Sequence, residues 1–144
     1  MGMKNGRKML SLALAGAATT VVLSATPASA ASYTMLCSVT GASGAMTVNG
    51  WGSGVTDLPL ILALTDTKAD GHHVQIRVVG KNEGGALITW PWHSNYDGNG
   101  TEKVWNSTAS YSQGIYDIGV QIGVYEGDNL VGSTCTDWLR SDES

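Results

Sequence analysis

From residue 33 onward, apolar and polar positions alternate along much of the chain, in runs separated by clusters rich in Gly, Asp and Asn. The clearest run is Ile118, Val120, Ile122 and Val124, interleaved with Gly119, Gln121, Gly123 and Tyr125. A period of two marks a strand with one face buried, so Val120 and Ile122 are expected inside and Gln121 outside. Glu126-Gly127-Asp128-Asn129 supplies turn residues, and Leu130 to Asp137 returns, completing a hairpin. Upstream, Tyr33, Met35, Cys37 and Val39 alternate with Thr34, Leu36, Ser38 and Thr40 and predict a first strand. Gly41-Ala42-Ser43-Gly44 predicts a turn and Ala45 to Trp51 a second strand.

Leu58, Leu60, Leu62 and Leu64 share one face of the next run, with Ile61 and Ala63 on the other. Two apolar faces predict a central strand covered on both sides, with a short buried helix as the alternative. Asp70-Gly71 is a hairpin signal. Val74, Ile76 and Val78 then alternate with Gln75, Arg77 and Val79. In Leu87 to Trp92, Ile88, Trp90 and Trp92 fall on one side. Pro91 has no N–H to give a ladder, which places this run at a sheet edge. His93 to Gly100 reads as a polar loop and Glu102 to Thr108 as a short strand. Seven or eight short strands, turn signals about every ten residues and no helical period of useful length predict an all-β antiparallel β-sandwich. A small closed barrel is the alternative.

The first thirty residues stand apart. Lys4, Arg7 and Lys8 precede the mostly apolar run Met9 to Leu23, and Ala28-Ser29-Ala30 is a small-x-small cleavage site. This is the pattern of a secretory signal peptide over 1–30. The apolar run is shorter than the ~20 residues of a spanning helix, the reading it competes with. One domain, 31–144, remains. The whole chain carries a net charge of −4. Without Lys4, Arg7 and Lys8, five cations face twelve carboxylates, a net −7. That balance disfavours nucleic acid and anionic membrane as partners and suits a secreted, extracellular monomer. Cys37 and Cys135 lie near opposite ends of the domain, and export makes a disulfide between them the expected state. Free thiols or an intermolecular bond are the alternatives.

Ser112-Gln113-Gly114-Ile115-Tyr116-Asp117-Ile118 resembles the D-x-G-x-Y-x-C corner of immunoglobulin-like domains. Gly114 and Tyr116 match, Ser112 replaces the acid and Ile118 the cysteine. The resemblance implies an immunoglobulin-like sandwich whose tyrosine hydroxyl ties the corner to nearby backbone. It does not carry over that family's inter-sheet disulfide. The chain as a whole is similar to short secreted actinobacterial proteins of unknown function. They share a signal peptide, a cysteine in the N-terminal strand and a cysteine-containing C-terminal strand. That likeness implies no activity.

Candidate chemistry is sparse. Asn95, Asp97 and Asn99, followed by Gly100, resemble the first half of a calcium loop. The twelfth position is Asn106 where a bidentate Glu is needed, so a polar turn is the competing reading. His72 and His73 are adjacent, and neighbouring strand residues point to opposite faces, which keeps both from one metal. There is no G-x-S-x-G, and a paired cysteine is no nucleophile. No enzymatic activity and no cofactor are expected. The strongest binding signal is the aromatic group Trp90, Trp92, Tyr96 and Trp105. Exposed rings near an edge strand can stack on sugars or anchor a protein, while a chain without Phe also needs Trp for its core. The sequence therefore points to a non-enzymatic module that binds an extracellular glycan or protein. A secreted inhibitor of an extracellular hydrolase, presenting the loop Trp92 to Gly100, is the alternative.

Overall fold

The structure is a computed structural model that describes residues 29–143; the expected signal peptide, with Lys4, Arg7 and Lys8, lies outside the described residues apart from Ser29 and Ala30. Among the described residues no helix is long and apolar enough to cross a membrane. The strands are β1 (Ser32–Val39), β2 (Ala42–Asn49), β3 (Val55–Asp66), β4 (His73–Lys81), β5 (Leu87–Thr89), β6 (His93–Asn95), β7 (Glu102–Ile115), β8 (Asp117–Glu126) and β9 (Asn129–Leu139), followed by a 3-10 turn at Ser141–Glu143. They form two antiparallel sheets. The first has the order β1-β2-β3-β7. The second has the order β5-β4-β8-β9, and β6 joins β5 on the free edge of β4. This is an open sandwich and not a closed barrel.

The alternating positions explain the layering. Met46 and Val48 on β2 and Leu58, Leu60, Leu62 and Leu64 on β3 face inward. Val74, Ile76 and Val78 on β4 and Ile118, Val120, Ile122 and Val124 on β8 meet them, and none of these side chains is more than 4% exposed. Burying such rows is the dominant favourable term in the fold. β3 is central, as its apolar run implies, but only one of its faces is covered. Ile61, on the opposite face from the leucines, is 40% exposed. Two apolar faces therefore marked a strand with one buried and one solvated side.

Turns follow their chemistry with two departures. The β8–β9 hairpin closes at Gly127-Asp128, where Glu126 pairs with Asn129. The first hairpin is tighter than its Gly and Ser content suggests. Val39 already pairs with Ala42, so only Thr40 and Gly41 turn, with Gly41 at φ +97°. Asp70-Gly71 closes no hairpin. It lies on the connection that carries the chain from β3 in one sheet to β4 in the other. A tight-turn dipeptide fixes local backbone and not which strands pair. The strand at Glu102 also runs further than expected, to Ile115.

The chain crosses back from β6 to β7, and a third time at the 112–118 corner. Gly114 has φ +88°, and a Cβ there would sit 3.0 Å from the Gly54 carbonyl oxygen, so glycine is required. The Tyr116 N–H donates to the Lys81 carbonyl at 2.8 Å. Its hydroxyl lies beside Gly54 and makes no hydrogen bond among the described residues.

Both open sides of the sandwich are fastened. On one, a disulfide joins Cys37 of β1 to Cys135 of β9, 98 residues apart with a Cα–Cα distance of 5.6 Å. It links the edge strands of the two sheets. Nearby the Leu36 N–H donates to Asp137 Oδ2 at 3.0 Å. On the other side Asn95 of β6 is wholly buried. Its Nδ2 donates across to the first sheet, to the carbonyls of Leu64 at 3.4 Å and Thr101 at 3.0 Å. Buried amides are costly unless paired, and this pairing holds β6 to β3 and β7.

Candidate functional site

The four ring residues expected to bind do not share one surface. A continuous strand would put Trp90 and Trp92 on the same side. Instead β5 pairs with Val79, Gly80 and Lys81, and β6 pairs with Val74, Gln75 and Ile76. The Trp90-Pro91-Trp92 link between them keeps a single bond to β4, from the Trp90 N–H to the Val78 carbonyl at 3.1 Å. Pro91 interrupts the ladder, so the parity argument fails across it. Trp90 lies over Gly80, where a Cβ would come within 3.1 Å of its ring, and packs against the core. Trp105 sits opposite Leu62 on β7, also packed against the core, with its ring 5.1 Å from that of His93. A cleft of about 220 Å³ opens between Trp90, Pro91 and His93 on one side and Ser107 and Thr108 on the other.

Trp92 and Tyr96 lie elsewhere, on the outer face of the second sheet. Val74, Ile76, Val78, Ile122 and Val124 point into the core, so the alternating His73, Gln75, Arg77, Gln121 and Tyr125 point out. Tyr96 stacks on His73 with centroids 4.3 Å apart and planes at 27°. Tyr125 follows at 6.2 Å from His73, and Trp92 meets Tyr125 edge-on at 5.5 Å and 65°. The Arg77 guanidinium lies 4.4 Å from the centre of the Trp92 ring, and its Nε donates to Gln121 Oε1 at 2.7 Å. Gln75 and His73 are joined through their Nε2 atoms at 2.9 Å. One unbroken series of contacts thus crosses β4 and β8.

The face extends towards Lys81. Trp138 covers Gly119, where a Cβ would lie 2.9 Å from its ring, and Lys81 Nζ sits 4.8 Å from the Trp138 ring centre. Val79 points the same way and is only 2% exposed, yet it belongs to no part of the inter-sheet core. It is covered from outside. Gln121, expected to be an exposed outward position, is half-buried and bonded to Arg77 for the same reason. Burial pushes the Tyr125 phenol above its usual range, and the Arg77 charge pulls it part of the way back.

No family model, curated protein or solved structure matches this chain. The reading of the site rests on its geometry.

The loop after β6 gives its oxygens internal work. Asn95 Oδ1 accepts from the Asp97 N–H at 3.0 Å, an Asx turn. Asp97 Oδ2 pairs with Lys103 Nζ at 3.3 Å, and Asn99 is exposed. Among the described residues no group of three or more His, Cys, Asp or Glu is gathered to hold a metal. His72 pairs with Glu126 at 2.7 Å while His73 stacks under Tyr96. Both cysteines are in the disulfide, which leaves no thiolate nucleophile among the described residues.

His73, Arg77, Gln121, Tyr125 and Trp138 escaped the sequence reading of this face. Each strand's alternation marks its outward residues, but only the pairing of β4 with β8 and of β8 with β9 brings them together. One signal was available. Gly119 and Gly123 fill outward positions of an otherwise regular strand, and strand glycines mark close approach by a neighbour.

Proposed function

We propose that this chain is a secreted, non-enzymatic binding module that takes a glycan on the outer face of its second sheet. The observation that carries the reading is Tyr96. One side of its ring stacks on His73, and the residue is still 68% exposed. A large ring held in place by stacking, with its other side in water, is a platform for the apolar face of a sugar. Tyr125 stacks on the same His73, and Trp92 meets Tyr125 edge-on. Gln75, Arg77 and Gln121 supply donors and acceptors in the adjacent rows for hydroxyl groups. The expected signal peptide and the disulfide support secretion.

A second reading, inhibition of an extracellular hydrolase, draws on a different observation. The loop from Trp92 to Gly100 is anchored by the wholly buried Asn95, so its exposed tip rises from a fixed base. An inhibitor would engage that tip and leave the sheet face free.

The two readings separate with Trp92→Ala. Removing this ring leaves Arg77 and Tyr125 unsupported and should weaken retention on cell-wall polysaccharide by roughly 2 kcal/mol or more, as for hot-spot aromatics. Pull-down from wall polysaccharide and from culture supernatant measures it, with thermal unfolding in parallel. Undiminished retention combined with a loss of several degrees in melting temperature would show that the ring only supports the fold.

A further inference from the structure

We infer that the glycan bound on this face is acidic, and that Arg77 receives its carboxylate. The inference rests on the glycan reading above and narrows it to a substrate class. Among the described residues, Lys68, Lys81 and Lys103 each have a carboxylate of their own, Asp70 at 3.7 Å, Asp117 at 3.9 Å and Asp97 at 3.3 Å. Neither Arg77 nor the exposed Arg140 is in an ion pair with a described residue, in a domain where carboxylates outnumber cations twelve to five. Unlike Arg140 it is half-buried, set among Trp92, Gln121 and Tyr125 at the Trp92 end of the ring series. A partly desolvated cation without a counter-charge is costly.

The orientation of Arg77 suits an incoming anion. Trp92 lies against the guanidinium, a cation–π contact that leaves the in-plane donors uncovered. Nε is taken by Gln121 Oε1. That bond fixes the head and leaves both Nη groups to donate, the planar fork that matches a carboxylate in two parallel bonds. Asp117, at one margin of the face, is already paired with Lys81, which limits its repulsion of an anionic ligand. An oligosaccharide that lays one sugar on Tyr96 and brings the ring carboxylate of another, a uronic acid, to Arg77, four residues along β4 from the His73 that Tyr96 covers, meets both features.

The probe is oligogalacturonate, with the same oligomer methyl-esterified as the uncharged counterpart, titrated against the intact protein by calorimetry. The wild type should bind the free acid about tenfold or more tighter than the ester, since a charge-assisted pair is stronger than a neutral one. The preference should shrink as salt is raised. Arg77→Gln should abolish the preference, and Arg77→Lys should keep part of it. Equal binding of acid and ester by the wild type would overturn the carboxylate assignment and leave the glycan reading intact. A folded Arg77→Gln protein that still prefers the acid would place the anion site elsewhere and refute the role of Arg77. Binding of neither form would overturn the acidic assignment, and only a failed wall-polysaccharide pull-down would remove the glycan reading as well.

Discussion

The two outer faces of the sandwich are built on the same binary pattern and have become different surfaces. Across the first sheet, one row reads Leu36, Ala45, Ala63 and Val104, and the next reads Thr34, Thr47, Ile61 and Asn106. These side chains are small or aliphatic and carry no charge. Leu36 is 67% exposed and Val104 55%; the one side-chain hydrogen bond within these rows joins Thr34 to Thr47 at 3.0 Å. Across the second sheet, the corresponding rows hold His73 beside Tyr125 and Arg77 beside Gln121. Rings and polar heads interlock there, and even the outward Val79 is shielded from water. Scattered apolar residues on a solvated face are ordinary. A fixed layer of rings and donors is not, and that difference is the ground for proposing the second face as the binding surface.

The comparison presupposes a shared interior, and the largest effects should arise there. Leu62 and Ile122 are both fully buried, on β3 and β8. Leu62→Ala and Ile122→Ala should each cost about 2–5 kcal/mol, the range for cavities that cannot collapse, as read by denaturant unfolding. A large imbalance between them would mean that the sheets do not share one cooperative core.

The faces themselves separate at the next level. A Cβ on Gly119 would lie 2.8 Å from the Asp137 carbonyl oxygen and 2.9 Å from the Trp138 ring. Gly119→Ala should therefore destabilise by about 1–3 kcal/mol through overpacking. Ala63→Ser, on the open face of the first sheet, should stay within about 0.5 kcal/mol of wild type. Equal costs would erase the contrast between a packed and an open face.

The smallest effect is a titration. Burial raises the Tyr125 pKa, and Arg77 opposes that rise. The fold therefore favours the neutral phenol. Its contribution to stability is complete below about pH 10, the unfolded value, and is lost as pH climbs through the raised folded value. Arg77→Gln removes the opposing charge, so the phenol should ionise at still higher pH. Ultraviolet phenolate absorbance, with Tyr125→Phe as the blank, measures the shift. An unmoved titration would show that the Arg77 charge does not reach the ring.

Much of this was legible in sequence because it is set by local period. The alternation on β4 and β8 placed the core, the Gly127-Asp128 turn placed the last hairpin, and two cysteines in an expected secreted chain placed the disulfide. What failed depended on neighbours in space. Asp70-Gly71 looked like a hairpin because a tight turn does not state where the next strand goes. Trp90 and Trp92 were expected on one side because parity was carried through Pro91, where the ladder stops, although the need for aromatic bulk favoured core for one of the two. Arg77 and Gln121 looked like ordinary solvated positions because nothing in either strand announces that they pair. Of the expected binding rings, Trp92 reaches the outer face while Trp90 packs against the core, a division that the interrupted edge explains, and Trp105 packs against the core because it lies opposite the inward Leu62 of the first sheet.

The central claim is that binding belongs to one outer face and not the other. It is tested most directly by two doubly substituted proteins, Trp92→Ala with Tyr96→Ala on the second sheet and Leu36→Ser with Val104→Thr on the first. Each is compared with wild type for retention on cell-wall polysaccharide at a temperature where all three are folded. The first should lose roughly thirtyfold or more in affinity, the equivalent of about 2 kcal/mol, and the second should stay within about twofold. Loss of binding in the second protein with retention in the first would contradict the assignment and move the binding surface to the first sheet.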